Sequence, residues 1–175
     1  MEFIKKILFD ILIGVWFIIA LFTTICLLSY NDFGVSTFGK NTLLIMDSDE
    51  LEPDYIEGDL VVVKRSSDNK IAVGEKVFYY NSSMNSSVLV FLGEVEDKTE
   101  VSKTDTTYTI DGEHVSGEFV IGATKDAKVY NKAGMILGAL TSRWGFMFFI
   151  LFPMLFAIIY EVMMIVDAAK KSKND

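Results

Sequence analysis

Polar residues almost vanish from two stretches of this chain. Ile7 to Leu28 (ILFDILIGVWFIIALFTTICLL) and Phe146 to Val166 (FMFFILFPMLFAIIYEVMMIV) are near-continuous apolar runs. At roughly 1.5 Å rise per residue, each is long enough as a helix to cross about 30 Å of hydrocarbon. Between them the pattern changes to short β-branched and aromatic runs broken by Gly, Asn, Asp and Ser. This predicts strands over Thr42 to Met46, Asp59 to Lys64, Lys76 to Tyr80, Ser87 to Glu96, Thr106 to Ile110 and Phe119 to Ala123. Asp111-Gly112 is a tight-turn dipeptide, and residues 66–69 and 81–85 mark further loops. Val61 to Val63 and Leu89 to Phe91 lack polar alternation, the pattern of strands buried on both faces or of a strand against the membrane, which periodicity alone does not distinguish. Met135 to Leu140 (MILGAL) reads as a short apolar segment at a membrane interface, beside Trp144.

Lys5 and Lys6 precede the first run, and Lys170, Lys171 and Lys173 follow the second. The positive-inside rule then places both termini in the cytoplasm of a two-pass cell-membrane protein. The first run is longer than the usual apolar core of a signal peptide, about 7–15 residues, and no small-x-small cleavage site follows it, so a retained anchor is expected. The expected fold is mainly β, with an all-β extracytoplasmic domain between two transmembrane α-helices. Its parts are the cytoplasmic N-terminus and first helix (1–30), the β domain (31–145), the second helix (146–166) and a basic cytoplasmic tail (167–175). Asp10 and Glu161 lie within the apolar runs towards the cytoplasmic side, where snorkelling to the interface or facing the other helix would accommodate them.

The middle segment holds 19 of the 24 acidic residues and 11 of the 16 basic ones, a net charge of −8. That balance excludes nucleic acid as a partner. The single cysteine, Cys26, lies in the first apolar run, which excludes an intrachain disulfide and a cysteine-built zinc site.

Chemistry concentrates in Met46 to Val63 (MDSDELEPDYIEGDLVVV). An N-terminal anchor, an acidic-Pro motif just beyond it, then "GDLVVVKR", "VGEKVFYY", a β-rich body and a closing apolar helix together resemble type I signal peptidases. The archaeal, endoplasmic-reticulum and sporulation-type branch is the nearer one. The family's S-x-S-M-x-P motif aligns with Ser48-Asp49-Glu50-Leu51-Glu52-Pro53, and its following G-D with Gly58-Asp59.

The match fails where the reaction would occur. Glu50 stands at the position of the nucleophilic serine. A carboxylate has no hydroxyl proton to surrender and would repel an oxyanion. Ser48 corresponds to the first serine, which the resemblance makes an oxyanion-hole helper. The family's lysine or histidine base falls on Leu92 or Gly93, and neither accepts a proton. The later G-D motif is represented by Gly112-Glu113. The catalytic positions Ser48, Glu50, Leu92, Gly93 and Glu113 are therefore degenerate, and no catalytic residue is expected. Alternatives that would keep activity use His114, Lys64, Lys76 or Lys98 as a base for Ser48, or pair Glu50 with Asp49 or Asp54.

The resemblance implies a non-catalytic protein similar to those associated with Gram-positive pilus gene clusters. It would act as an assembly or chaperone factor for exported surface proteins. Its partners would be an exported protein or pilin segment, the sortase machinery and the lipid bilayer. The alternative is an active, divergent signal peptidase that cleaves secretory preproteins. The binding cleft implied by the resemblance is bordered by Asp47, Ser48, Asp49, Glu50, Leu51, Glu52 and Pro53 on one side and by Leu89 and Phe91 on the other. Five carboxylates in the eight positions from Asp47 to Asp54 read either as a site for a basic partner segment or as a solvated connector. No D-x-D-x-D-G pattern is present, so no metal and no cofactor are expected.

Overall fold

A computed structural model describes residues 2–31, 33, 35–47, 51, 53–65, 71–80, 90–102 and 105–174 of the chain. The chain divides into two compact units, one formed by residues 1–25 and 138–175 and the other by 26–137.

The helical unit contains the first apolar run as far as Ile25 and the whole of the second. Helix α1 spans Glu2–Leu28. The second run is built from α3 (Arg143–Phe146), a π-helical turn (Met147–Leu151) and α4 (Phe152–Asn174). Two helical stretches, Ile7–Leu28 and Arg143–Lys170, are long and apolar enough to cross a membrane. The second helix does not stop at Val166. It continues through 167–174, because nothing in Asp167-Ala-Ala-Lys-Lys-Ser-Lys breaks a helix and Ala and Lys favour one. Asp10 and Glu161 are both exposed on their helices, so neither is packed inside the unit.

The other unit is mainly β, with two antiparallel sheets. Strands β1 (Ser36–Phe38), β2 (Asn41–Ile45), β3 (Leu60–Lys64) and β9 (Lys128–Tyr130) form a four-stranded sheet in the order β1-β2-β3-β9. Strands β4 (Lys76–Tyr80), β5 (Val90–Ser102), β6 (Asp105–Ile110), β7 (Glu113–Ser116) and β8 (Val120–Ala123) form a five-stranded sheet in the order β7-β6-β5-β4-β8. The β6–β7 connection is the Asp111-Gly112 turn. Both residues have positive φ, 49° and 81°, and Ile110 pairs with Glu113 across it. This two-residue hairpin geometry is the one that matches strand twist.

Three features depart from the sequence pattern. The segment is not all-β, because Ala133–Thr141 forms helix α2, whose Ala, Met and Leu residues favour helix. His114, which follows the Asp111-Gly112 turn and so reads as an exposed loop residue, is exposed but lies in strand β7. Two-sided burial falls on β4 and β8 instead of Val61 to Val63. Val61 and Val63 are fully buried while Val62 is only half-buried, whereas β8 is buried at all four positions.

Two apolar clusters explain this. Val77 and Tyr79 of β4, with Val120 and Ala123 of β8, join Val95, Tyr108, Ile110, Val115 and Ile71 in one. Phe78 of β4 and Ile121 of β8 join Leu44, Met46, Tyr55, Val61 and Val63 in the other. Successive side chains on a strand point to opposite faces, so a strand with apolar layers on both sides reads as an unbroken run.

Candidate functional site

The segment that carries the motif is tied down at its base by main-chain bonds. Met46 N–H donates to the Asp59 carbonyl at 2.9 Å, and Gly58 N–H donates to the Met46 carbonyl at 2.7 Å. Gly58 has φ +89°, a conformation that side chains with a Cβ resist. Its carbonyl accepts from Met135 N–H at 2.9 Å. The Asp59 side chain is buried and accepts from Lys132 N–H at 3.1 Å. Gly58-Asp59 thus works structurally, joining the end of this segment to the turn between β9 and α2. Tyr55 N–H donates to the Leu51 carbonyl at 3.0 Å, and the Tyr55 ring packs on Phe78 with centroids 5.0 Å apart.

Beside this segment, β4 and β5 pair with Lys76 opposite Glu94, Val77 opposite Gly93 and Phe78 opposite Leu92. An open depression of about 310 Å³ lies between them, lined by Leu51, Asp54, Lys76, Leu92, Gly93, Glu94 and Asp111. Lys76 Nζ is 2.7 Å from Asp54 Oδ2. This bond, then the Asp54 charge and that of Glu94, holds the Lys76 ammonium above its ordinary range, against a small opposing effect of burial. The pairing favours the protonated form of the lysine. Burial first, then the Asp54 charge, raises the Tyr55 phenol, with Lys76 opposing.

Gly93 is buried, and the space above it is taken. A Cβ there would strike the Cγ2 methyl of Ile110 and come within 2.5 Å of Asp111 Oδ2. Asp111 Oδ1 in turn accepts from Glu94 N–H at 3.4 Å. Leu92 packs against the cluster containing Phe78 and Tyr55, as does Leu51.

The structure brings Leu51, Leu92 and Gly93 together with Asp54 and Lys76. It does not bring Phe91 to them. Phe91 points to the other face of β5, where its ring lies 5.9 Å from that of Tyr79. Asp47 and Pro53 are exposed. Glu113 is exposed on β7, beside His114, whose Nδ1 lies 3.2 Å from Thr109 Oγ1. Lys64 is exposed, and Lys98 Nζ stands 4.0 Å from Glu100 and 6.0 Å from the Tyr108 ring centroid. Ser48, Asp49, Glu50, Glu52 and Leu89 lie outside the described residues.

Glu94 and Asp111 are lining residues that the motif does not contain. Only the Asp111-Gly112 turn signal hinted at the second, while cross-strand pairing with Lys76 places the first. Among the described residues, no three His, Cys, Asp or Glu side chains converge as a metal site requires. No protein-family model matches the chain, and no curated protein matches it.

Proposed function

We propose that this is a membrane-anchored, signal-peptidase-like protein without peptidase chemistry, which holds an extended segment of an exported surface protein such as a pilin. In this reading both termini are cytoplasmic, the β domain is outside, and sortase machinery acts on the protein that is held. The observation that carries it is Gly93. In the register of the resemblance a base belongs at Leu92 or Gly93. Leu92 is half-buried and packs an apolar side chain against the core, and the volume over Gly93 is filled by Ile110 and Asp111. Lys76 supports the same reading, because Asp54 holds its ammonium above the ordinary lysine range, the opposite of what a lysine base needs. With Glu50 at the nucleophile position, neither half of a serine–base pair is supplied. Leu51 and Leu92 offer an apolar contact, and Asp54, Glu94 and Asp111 outnumber Lys76 around it, which suits an extended segment carrying a basic side chain.

The test is cleavage of a secretory preprotein by the full-length, detergent-purified protein, run beside Ser48→Ala and Glu50→Ser. A photo-crosslinker at Leu92 is used in parallel, in cells expressing the exported subunits. The expected result is no cleavage by any of the three, with a crosslink to an exported subunit. Cleavage by the wild type that Ser48→Ala abolishes would establish the alternative, an active divergent signal peptidase.

A further inference from the structure

Proline has no N–H, so Pro153 cannot donate the helical bond to the carbonyl four residues earlier, that of Phe149. The chain just before it is already rewound. Met147–Leu151 is π-helical, and Phe152 N–H bonds the Met147 carbonyl. Inside a membrane no water replaces a missing backbone donor, and only another protein group satisfies it. The Phe149 carbonyl has such a group. The indole Nε1–H of Trp16, on α1, donates to it at 2.9 Å.

Burial along the two helices places this bond at a boundary. Trp16, Ala20, Thr23 and Thr24 are buried or half-buried on α1, a stripe at helical spacing that is small apart from Trp16. Gly145, Phe146, Met147 and Ile150 are buried or half-buried on the second helix. Before Trp16 no described side chain of α1 is even half-buried, and none is between Leu151 and Lys170. The indole-to-carbonyl bond sits at the end of the buried stretch of each helix.

We infer that Trp16 is the intramembrane clasp of this protein: its indole N–H replaces the donor that Pro153 lacks and closes the two apolar helices into one hydrogen-bonded hairpin. The inference is independent of what the β domain binds. It assigns to Trp16 a role that Phe cannot fill, because Phe would keep an aromatic ring and lose the donor. It also makes Trp16 and Pro153 a coupled pair.

The experiment uses the full-length protein carrying Trp144→Phe, so that one indole remains, in lipid nanodiscs. The ¹⁵N–¹H indole signal of Trp16 is expected at a hydrogen-bonded position, and Pro153→Ala, which restores an intrahelical donor, is expected to move it towards the free position. A double-mutant cycle in mixed lipid–detergent micelles reads the role. Trp16→Phe is expected to raise the helix-unfolding equilibrium constant about tenfold when Pro153 is present and less than about twofold in the Pro153→Ala protein. A free indole signal in the wild-type helices would overturn the inference. So would an equal effect of Trp16→Phe with and without Pro153, which is the signature of plain packing. The signal is read without the Trp16→Phe variant, so the inference stays exposed even if that variant does not insert.

Discussion

The carboxylate of Asp111 lies over Gly93, eighteen residues away in the chain, leaving no room for a Cβ on the β5 strand. Asp111 sits in the left-handed region, where Asp is tolerated, and bonds Glu94 N–H. Gly93→Ala should therefore destabilise the β domain by about 1–3 kcal/mol through overpacking. In an Asp111→Gly background, where the carboxylate is gone and the backbone conformation still suits the residue, the cost should fall. The residual Ile110 clash keeps it above zero. Chemical denaturation of the two single variants and the double variant measures the coupling, and strict additivity would contradict the packing described.

The Asp59 side chain ties the motif-bearing segment to the turn before α2. Removing its carboxylate leaves the Lys132 N–H without that acceptor, and Asp59→Ala should cost roughly 1–3 kcal/mol. Asp59→Asn keeps an acceptor oxygen and should recover part of the loss. Hydrogen exchange at the Lys132 amide reads the same bond locally, and it should quicken in Asp59→Ala.

The Lys76–Asp54 pair is exposed on both sides, so its effect is sought in titration and not in global stability. Asp54→Asn should lower the Lys76 ammonium towards its ordinary value, observed at its ¹³Cε signal. The sign follows from a raised folded value. The pair's contribution is complete below the ordinary lysine range and disappears as pH rises through the raised value. A Lys76 titration unchanged by Asp54→Asn would show that the pair does not form in solution.

Glu75 should show the opposite sign. Its bond from Lys125, ahead of the opposing effect of burial, and then the Ala72 N–H bond and the Lys125 charge, lower the carboxyl below its ordinary value. The contribution is present above the ordinary carboxylate range and is lost as pH falls through the lowered value. Lys125→Met should move the Glu75 ¹³Cδ titration upward. No movement would mean that some other group sets it.

Hydropathy and turn chemistry were enough to locate much of this fold. Two runs with almost no polar residue dictate two long apolar helices, because a helix satisfies its own backbone and needs no partner strand to do so. Strands β2, β3, β4, β6 and β8 were legible within about two residues, since each is a β-branched or aromatic run. The short strands β1, β7 and β9 were not legible. Each has three or four residues, too few to carry a period, and each exists because a neighbouring strand pairs with it. For the same reason β5 runs on to Ser102 through polar residues that β6 pairs.

The candidate site divides in the same way. Residue types alone revealed that Glu50 is no serine and Gly93 no base, because that is a question of which atoms a side chain has. That Asp111 fills the space over Gly93, that Lys76 is paired with Asp54, and that Trp16 reaches the Phe149 carbonyl depended on the fold. Those pairs are 18, 22 and 133 positions apart, for Trp16 counted to the Phe149 carbonyl. No local pattern encodes contacts at such separations. They arise when strand register and helix packing bring distant groups within bonding distance, where each must be accommodated or satisfied.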